Sequence, residues 1–402
     1  MKPDITNKLS LSAKSMKKSA IREILKLLQN PEMISFAGGL PSPDSFPIDE
    51  IKEITAMILQ TNGKSALQYG TTEGDPDLRE MLLKRHREQG LSVDHKNLAI
   101  STGSQQALDI LSKIFIDRGD YIICGLPSYL GGLSAFNAYG ARMKGIPFDE
   151  SGMRADELDK ALKQLEEENE KVKFIYVIPD FQNPAGITMP ESRRKEILDI
   201  ASKYDLLIVE DSPYRDIRFE GKSQKLMYEL DTEGRVTTLF TFSKILAPGF
   251  RVAWLLGNPE IIDKFFMAKQ SADLCSPVLV QKIAAEYMRR GLLDKNLVKT
   301  ISLYKTRRDY MLGCFEKYMP EGVKWTKPEG GLFLFITLPE YMNADDVFNL
   351  AVKNNVAFVK GSVFYCDNCG KNTMRINFSY CDTETISKGV ERLAEVIRKS
   401  MK

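Results

Sequence analysis

Histidine occurs only twice in the 402 residues, as His86 and His95. His86 falls in a charged helical run, 78–89, and His95 in a polar turn, Val93-Asp-His-Lys-Asn, so both read as solvated side chains. That scarcity argues against a Ser-His-Asp triad and against a His-rich zinc site, and no metal is expected. Cysteine is thin as well. Its six copies, Cys124, Cys275, Cys314, Cys366, Cys369 and Cys381, are scattered, which suits a reducing cytoplasm better than a disulfide framework. No apolar run approaches the length that crosses a bilayer, and the basic N-terminus lacks a signal-type apolar core, so a cytoplasmic location is expected. Neither sign of charge dominates: Lys and Arg number 56 against 54 Asp and Glu, a net +2. That balance gives no electrostatic case for nucleic acid or an anionic membrane. Glycine-rich nucleotide fingerprints are missing too; neither G-x-G-x-x-G nor a P-loop follows a strand.

What is present is organised around 237–257, TTLFTFSKILAPGFRVAWLLG. A β-rich apolar run turns polar at Ser243 and Lys244, Pro248-Gly249 forces a turn, Arg251 follows, and a second apolar run closes the stretch. A lysine at the mouth of a buried strand is paired, neutralised or covalently occupied, because burying a bare ammonium is costly. A solvated loop lysine is the plain alternative. Upstream, apolar strands at 97–101, 121–124, 174–178 and 206–209 alternate with helices, which implies a parallel sheet covered on both faces. Ligands in such sheets sit outside the carboxyl ends of the strands. Ser104-Gln105, Tyr129, Asn183, Asp211 with Tyr214, and Ser243-Lys244 each stand just after a strand, so these groups should converge. Beyond 259 a long helical region, then an α+β tail from about 331, read as a second, smaller domain.

Pyridoxal phosphate (PLP) suits this set of groups. A lysine amine forms a Schiff base with an aldehyde. An aspartate keeps a pyridinium nitrogen protonated, which makes the ring an electron sink. Tyrosine or asparagine can bond a phenolic oxygen, a helix N-terminus binds phosphate, and an arginine clamps it with two donors.

The motifs ISFAGGLPSPDSFP, LQYGTTEGDPDLR, TGSQQALD, PDFQNPAG, EDSPYRD, TFSKILAPGFRVAW and MRINFS resemble those of fold-type I PLP-dependent aminotransferases of class I/II. Within that class they are most similar to the kynurenine/2-aminoadipate/aromatic branch. The resemblance spans nearly the whole chain. It implies a mainly parallel, doubly wound, seven-stranded sheet in a large PLP-binding domain, 46–295, a smaller α+β domain, 296–402, and an N-terminal arm with a short helix, 1–45.

Carried over residue by residue, Lys244 matches the Schiff-base lysine and Asp211 the partner of the pyridine nitrogen. Tyr214 and Asn183 match the groups on the phenolic oxygen, and Tyr129 the aromatic that stacks on the ring. Ser104, Gln105, Thr241, Ser243 and Arg251 match the phosphate cup. Tyr69 matches a tyrosine that reaches the phosphate from the other subunit, which implies a homodimer with shared sites; it counts with Lys244 as catalytic. Arg375 matches the arginine on the substrate α-carboxylate. Gly39 and Asn183 lie by the substrate, and Arg22 matches an arginine of the N-terminal helix that meets acidic side chains in some relatives. The chain departs from the family at Ala185, where threonine is usual, and at 364–370, where Cys366-x-x-Cys369 replaces a glycine-rich loop and reads as two free thiols or as a redox or zinc half-site.

The resemblance implies transfer of an amino group from an L-amino acid (2-aminoadipate, aromatic or broad-range) to 2-oxoglutarate, in ping-pong order. Two other readings are a PLP lyase or decarboxylase on the same fold and the effector-binding half of a transcription regulator. The second would carry an N-terminal winged helix; only a short arm precedes the first motif and the balanced charge offers no DNA-binding face, so an enzyme is expected instead.

Overall fold

The computed structural model describes residue 3, residues 5–16 and residues 30–401. Its strands, in chain order, are β1 (Ile34–Ser35), β2 (Leu98–Ser101), β3 (Tyr121–Leu126), β4 (Arg142–Asp149), β5 (Gly152–Met153), β6 (Val172–Val177), β7 (Leu207–Asp211), β8 (Val236–Thr241), β9 (Ala253–Leu256), β10 (Lys324–Trp325), β11 (Phe333–Thr337), β12 (Val356–Ala357), β13 (Val359–Lys360) and β14 (Thr373–Asn377). The main sheet runs β2-β9-β8-β7-β6-β3-β4-β5. Seven of its strands have four or more residues, and the eighth, β5, is a two-residue hairpin partner of β4. Strands β3, β4, β6, β7 and β8 pair parallel; β9 is antiparallel to both β8 and β2, so β2 runs with the parallel set. The carboxyl ends of six strands therefore share one edge.

The strands are apolar on both faces because helices cover both. Ile122, Cys124, Phe174, Tyr176 and Val209 point to one face, under the helices Ser104–Phe115, Leu130–Ala138 and Pro259–Gln270. Their neighbours Ile123, Ile175, Val177 and Ile208 point to the other, under Ala155–Glu167 and Glu191–Lys203. Period-two alternation with no polar face is the signature of such a doubly covered sheet.

The expectation of a solvated His86 is corrected. Leu78, Leu82 and His86 recur every fourth residue on the helix Pro76–Glu88, which places all three on its buried face. The Trp254 indole N–H donates to His86 Nε2 at 2.9 Å, and burial lowers the imidazole to about 4, so the ring is a neutral acceptor in the core. His95 is exposed beside Glu80.

A second sheet, β10-β11-β14-β13, is antiparallel throughout. On β14, Met374 and Ile376 enter the core shared with the helices Leu292–Tyr318 and Thr383–Ser400. Arg375 must then project from the opposite face. Strand β1 pairs with β12, joining the start of the 30–401 stretch to this region. β12 and β13 are separate, two-residue strands in different sheets. No helix among the described residues is long and apolar enough to cross a membrane.

The loop after β6 is held from below by charge. Arg194 is wholly buried; it donates to Asp180 Oδ1 at 2.8 Å, to Met189 O at 2.9 Å and to Lys225 O at 2.8 Å. Removing one member of a buried pair strands the other, at about 3–5 kcal/mol. Arg194→Ala should therefore lower unfolding free energy by about that amount in denaturant titration; a loss under ~1 kcal/mol would show that Asp180 finds other partners.

Candidate active site

The strand ends meet in a cavity of about 280 Å³. Gly39, Ser104, Gln105, Tyr129, Asn183, Asp211, Tyr214, Thr241, Ser243, Lys244, Arg251 and Arg375 all line it. Of the predicted residues, Tyr69 stands apart, 79% exposed, and Arg22 lies outside the described residues. Leu40, Ile178 and Phe333 complete an apolar wall that sequence reading missed.

Asp211 closes β7, where the sheet ends and the cavity begins. It is buried, and Tyr176, from the neighbouring strand, donates to its Oδ2 at 2.8 Å. Its Oδ1 is buried with no partner among the described residues. Burial pushes this carboxyl up to about 7, against the opposing pull of the Tyr176 hydroxyl. Tyr176 also escaped the sequence reading; a hydroxyl inside an otherwise apolar strand was the available signal.

Lys244 follows β8. Its ammonium donates to Gly39 O at 2.8 Å. Burial, then the nearby Arg375 and Arg251, lowers it to about 8. Arg375 donates to Asn183 Oδ1 at 2.9 Å and to Ala37 O at 2.8 Å, and its guanidinium lies 4.2 Å from the Phe333 ring centre and 5.1 Å from that of Phe364. Asn183 in turn donates to the Tyr214 hydroxyl at 3.3 Å.

A cationic corner forms where the helix Ser104–Phe115 begins. Gly103 adopts φ +82°, and a Cβ there would sit 2.2 Å from Arg251 Nη2, so this turn requires glycine. Ser104 Oγ is buried and unpartnered among the described residues. Ser243 Oγ accepts from Thr241 Oγ1 at 3.0 Å and lies 3.5 Å from Arg251 Nη1. Gln105 lines the corner but spends its amide on Gly131 O at 2.8 Å. Among the described residues no cluster of three or more His, Cys, Asp or Glu side chains could hold a metal ion.

Residues 32–393 match the family of class I and II aminotransferases. The chain belongs to that family. It is 48% identical to aromatic-amino-acid aminotransferase 1 of Thermococcus litoralis, over 99% of this chain and 96% of that protein. It superposes on the crystal structure of Pyrococcus horikoshii kynurenine aminotransferase in complex with PMP, KYN and KYA at TM-score 0.96, with 46% identity over 99% of both chains. It superposes on the alpha-aminoadipate aminotransferase of Thermus thermophilus, complexed with N-(5'-phosphopyridoxyl)-L-leucine, at TM-score 0.92, with 36% identity over 99% of both.

This aminotransferase is a PLP-dependent transaminase of fold type I. Its cavity fits that cofactor on its own evidence. An unpaired carboxylate oxygen calls for a cationic N–H, and an unpaired serine beside an arginine and a helix N-terminus calls for an anion. Only an uncharged amine attacks an aldehyde. Capture of PLP by cofactor-free aminotransferase should therefore accelerate as pH rises through about 8, in stopped-flow absorbance. A midpoint near the ordinary lysine value of 10.5 would contradict the burial of Lys244.

Proposed function

We propose that the chain transfers the amino group of aromatic L-amino acids and 2-aminoadipate to 2-oxoglutarate, its two half-reactions alternating at one site. The observation that carries this reading is the shared cavity: a depressed lysine amine, an unpaired carboxylate oxygen and a buried arginine open onto the same space. When bound, PLP supplies an aldehyde for the amino group and a conjugated ring that delocalises electrons released at the substrate Cα.

In this proposal Asp211 would hold the ring nitrogen and Tyr129 would lie against the ring. Asn183 and Tyr214 would hold the phenolic oxygen, and Ser104, Gln105, Thr241, Ser243 and Arg251 would hold the phosphate. Arg375 grips the substrate carboxylate with its fork. Burial lowers this guanidinium to about 10, still charged at neutral pH, and the flanking rings fix its plane. With the carboxylate held, Lys244 Nζ is positioned to accept the proton from the substrate Cα. Leu40, Ile178 and Phe333 give the donor side chain an apolar wall, which favours aromatic groups. The names of the relatives support the same donor range.

A second copy of the chain completes the site in this reading. Tyr69 and Leu67 are 79% and 72% exposed, an apolar pair that a partner subunit would cover.

Arg375→Lys keeps the charge but loses the two-pronged grip. It should lower kcat/KM for the donor by roughly a hundredfold. The enclosing experiment is a panel of L-amino acids with 2-oxoglutarate, read as 2-oxo acid formed. Aromatic and 2-aminoadipate donors should lead. Release of ammonia, or activity confined to small aliphatic donors, would overturn the reading.

A further inference from the structure

The C-x-x-C loop has its partner elsewhere than the sequence suggests. Cys369 is exposed, on a turn where Asn368 and Gly370 adopt φ +62° and +67°. Cys366 points inward. Its sulfur packs on the apolar cluster that holds Cys124, and the two sulfurs lie 3.8 Å apart, in van der Waals contact across 242 residues of chain. Cys124 is fully buried in β3, on a rigid sheet, whereas Cys366 is half-buried on a loop.

We propose that Cys124 and Cys366 are a thiol pair that closes into a disulfide when the protein meets a small-molecule disulfide. Cys366 is the entry point, because it alone of the two reaches solvent. The S–H of Cys124 donates to it and favours its thiolate, the reactive form. That thiolate attacks one sulfur of RS–SR; a Cys366–SR bond forms and RS⁻ leaves. Cys124 then gives up its proton and attacks the Cys366 sulfur, expelling a second RS⁻. The two protein thiols are oxidised, and one RS–SR is reduced to two RSH.

The bond would staple the loop to the main sheet. The same loop already docks there through Ser128 N, which donates to Phe364 O at 2.8 Å, and Phe364 flanks Arg375. Because the sulfurs already touch with the loop in this position, closure needs only a short further approach of the two sulfurs to bonding distance. Oxidation should stabilise the protein without loss of activity.

The test treats the holoenzyme with 2-hydroxyethyl disulfide. Peptide mapping without reduction should show a Cys124–Cys366 link. Tm should rise by about 5 °C and fall back with dithiothreitol, since a cross-link closing so long a loop restricts the unfolded chain strongly. Cys369→Ser should leave both results intact, while Cys124→Ser and Cys366→Ser should each abolish them. A Cys366–Cys369 link, a persistent adduct on Cys366 with Cys124 still reduced, an unchanged Tm or a loss of activity on oxidation would each overturn the proposal.

Discussion

Lys244→Ala should lose transamination by at least about 10⁴-fold in kcat, the upper range for removal of a general base, because in the proposed function the same amine also anchors the cofactor. Assays of the isolated half-reaction and of full turnover should fall together. Folding is not the route to this loss. Among the described residues the amine hydrogen-bonds to Gly39 O, and its depressed pKa states that an ammonium is disfavoured there. The cofactor-free variant should therefore melt no lower than the cofactor-free parent. The visible absorbance of lysine-bound cofactor should vanish, even where PLP is retained by the remaining contacts. Normal turnover in Lys244→Ala would remove the basis of the proposed function.

Asp211→Asn should cost about a thousandfold in kcat. The amide is nearly isosteric and still accepts from Tyr176, but it carries no charge to hold a proton on a facing nitrogen. The substitution has a second, independent signature. In the cofactor-free protein the carboxyl is raised from 3.8 to about 7, so the folded state holds a proton that the unfolded state releases. Its contribution to stability is complete below pH 4 and is lost as pH rises through 7. Denaturation of the cofactor-free parent should show that decline between about pH 4 and 7, and Asp211→Asn should lack it. A cation placed against Oδ1 reverses the preference, so added PLP should stabilise the parent more at pH 8 than at pH 5. An unaltered kcat in Asp211→Asn would mean that the orphan oxygen faces nothing of consequence.

The groups at strand ends were the most legible part of this molecule. A polar residue just past an apolar run has its position set by the strand itself, so Asp211, Asn183 and Lys244 reach one cavity wherever the sheet is parallel. Groups inside elements were harder to read. Tyr176 looked like one more core residue, and its role toward Asp211 depends on which strand lies beside β7. His86 was misjudged because charged neighbours masked a four-residue spacing. The contact of Cys124 with Cys366 could not be read at all, since no local pattern joins residues so distant. Tyr69 shows the converse limit: its exposure is evident only once the chain is folded, and its proposed task needs a second chain.

The pairing of β1 with β12 bears on the order in which the protein can mature during synthesis. The main sheet is complete once residue 256 has been made, whereas Ile34 waits for Val356, and the cavity waits for Arg375. A nascent polypeptide can thus own its lysine and carboxylate long before it owns its guanidinium. Chains released early by a stalled ribosome would present a half-walled pocket and an unmatched strand edge, the kind of surface that chaperones and proteases recognise.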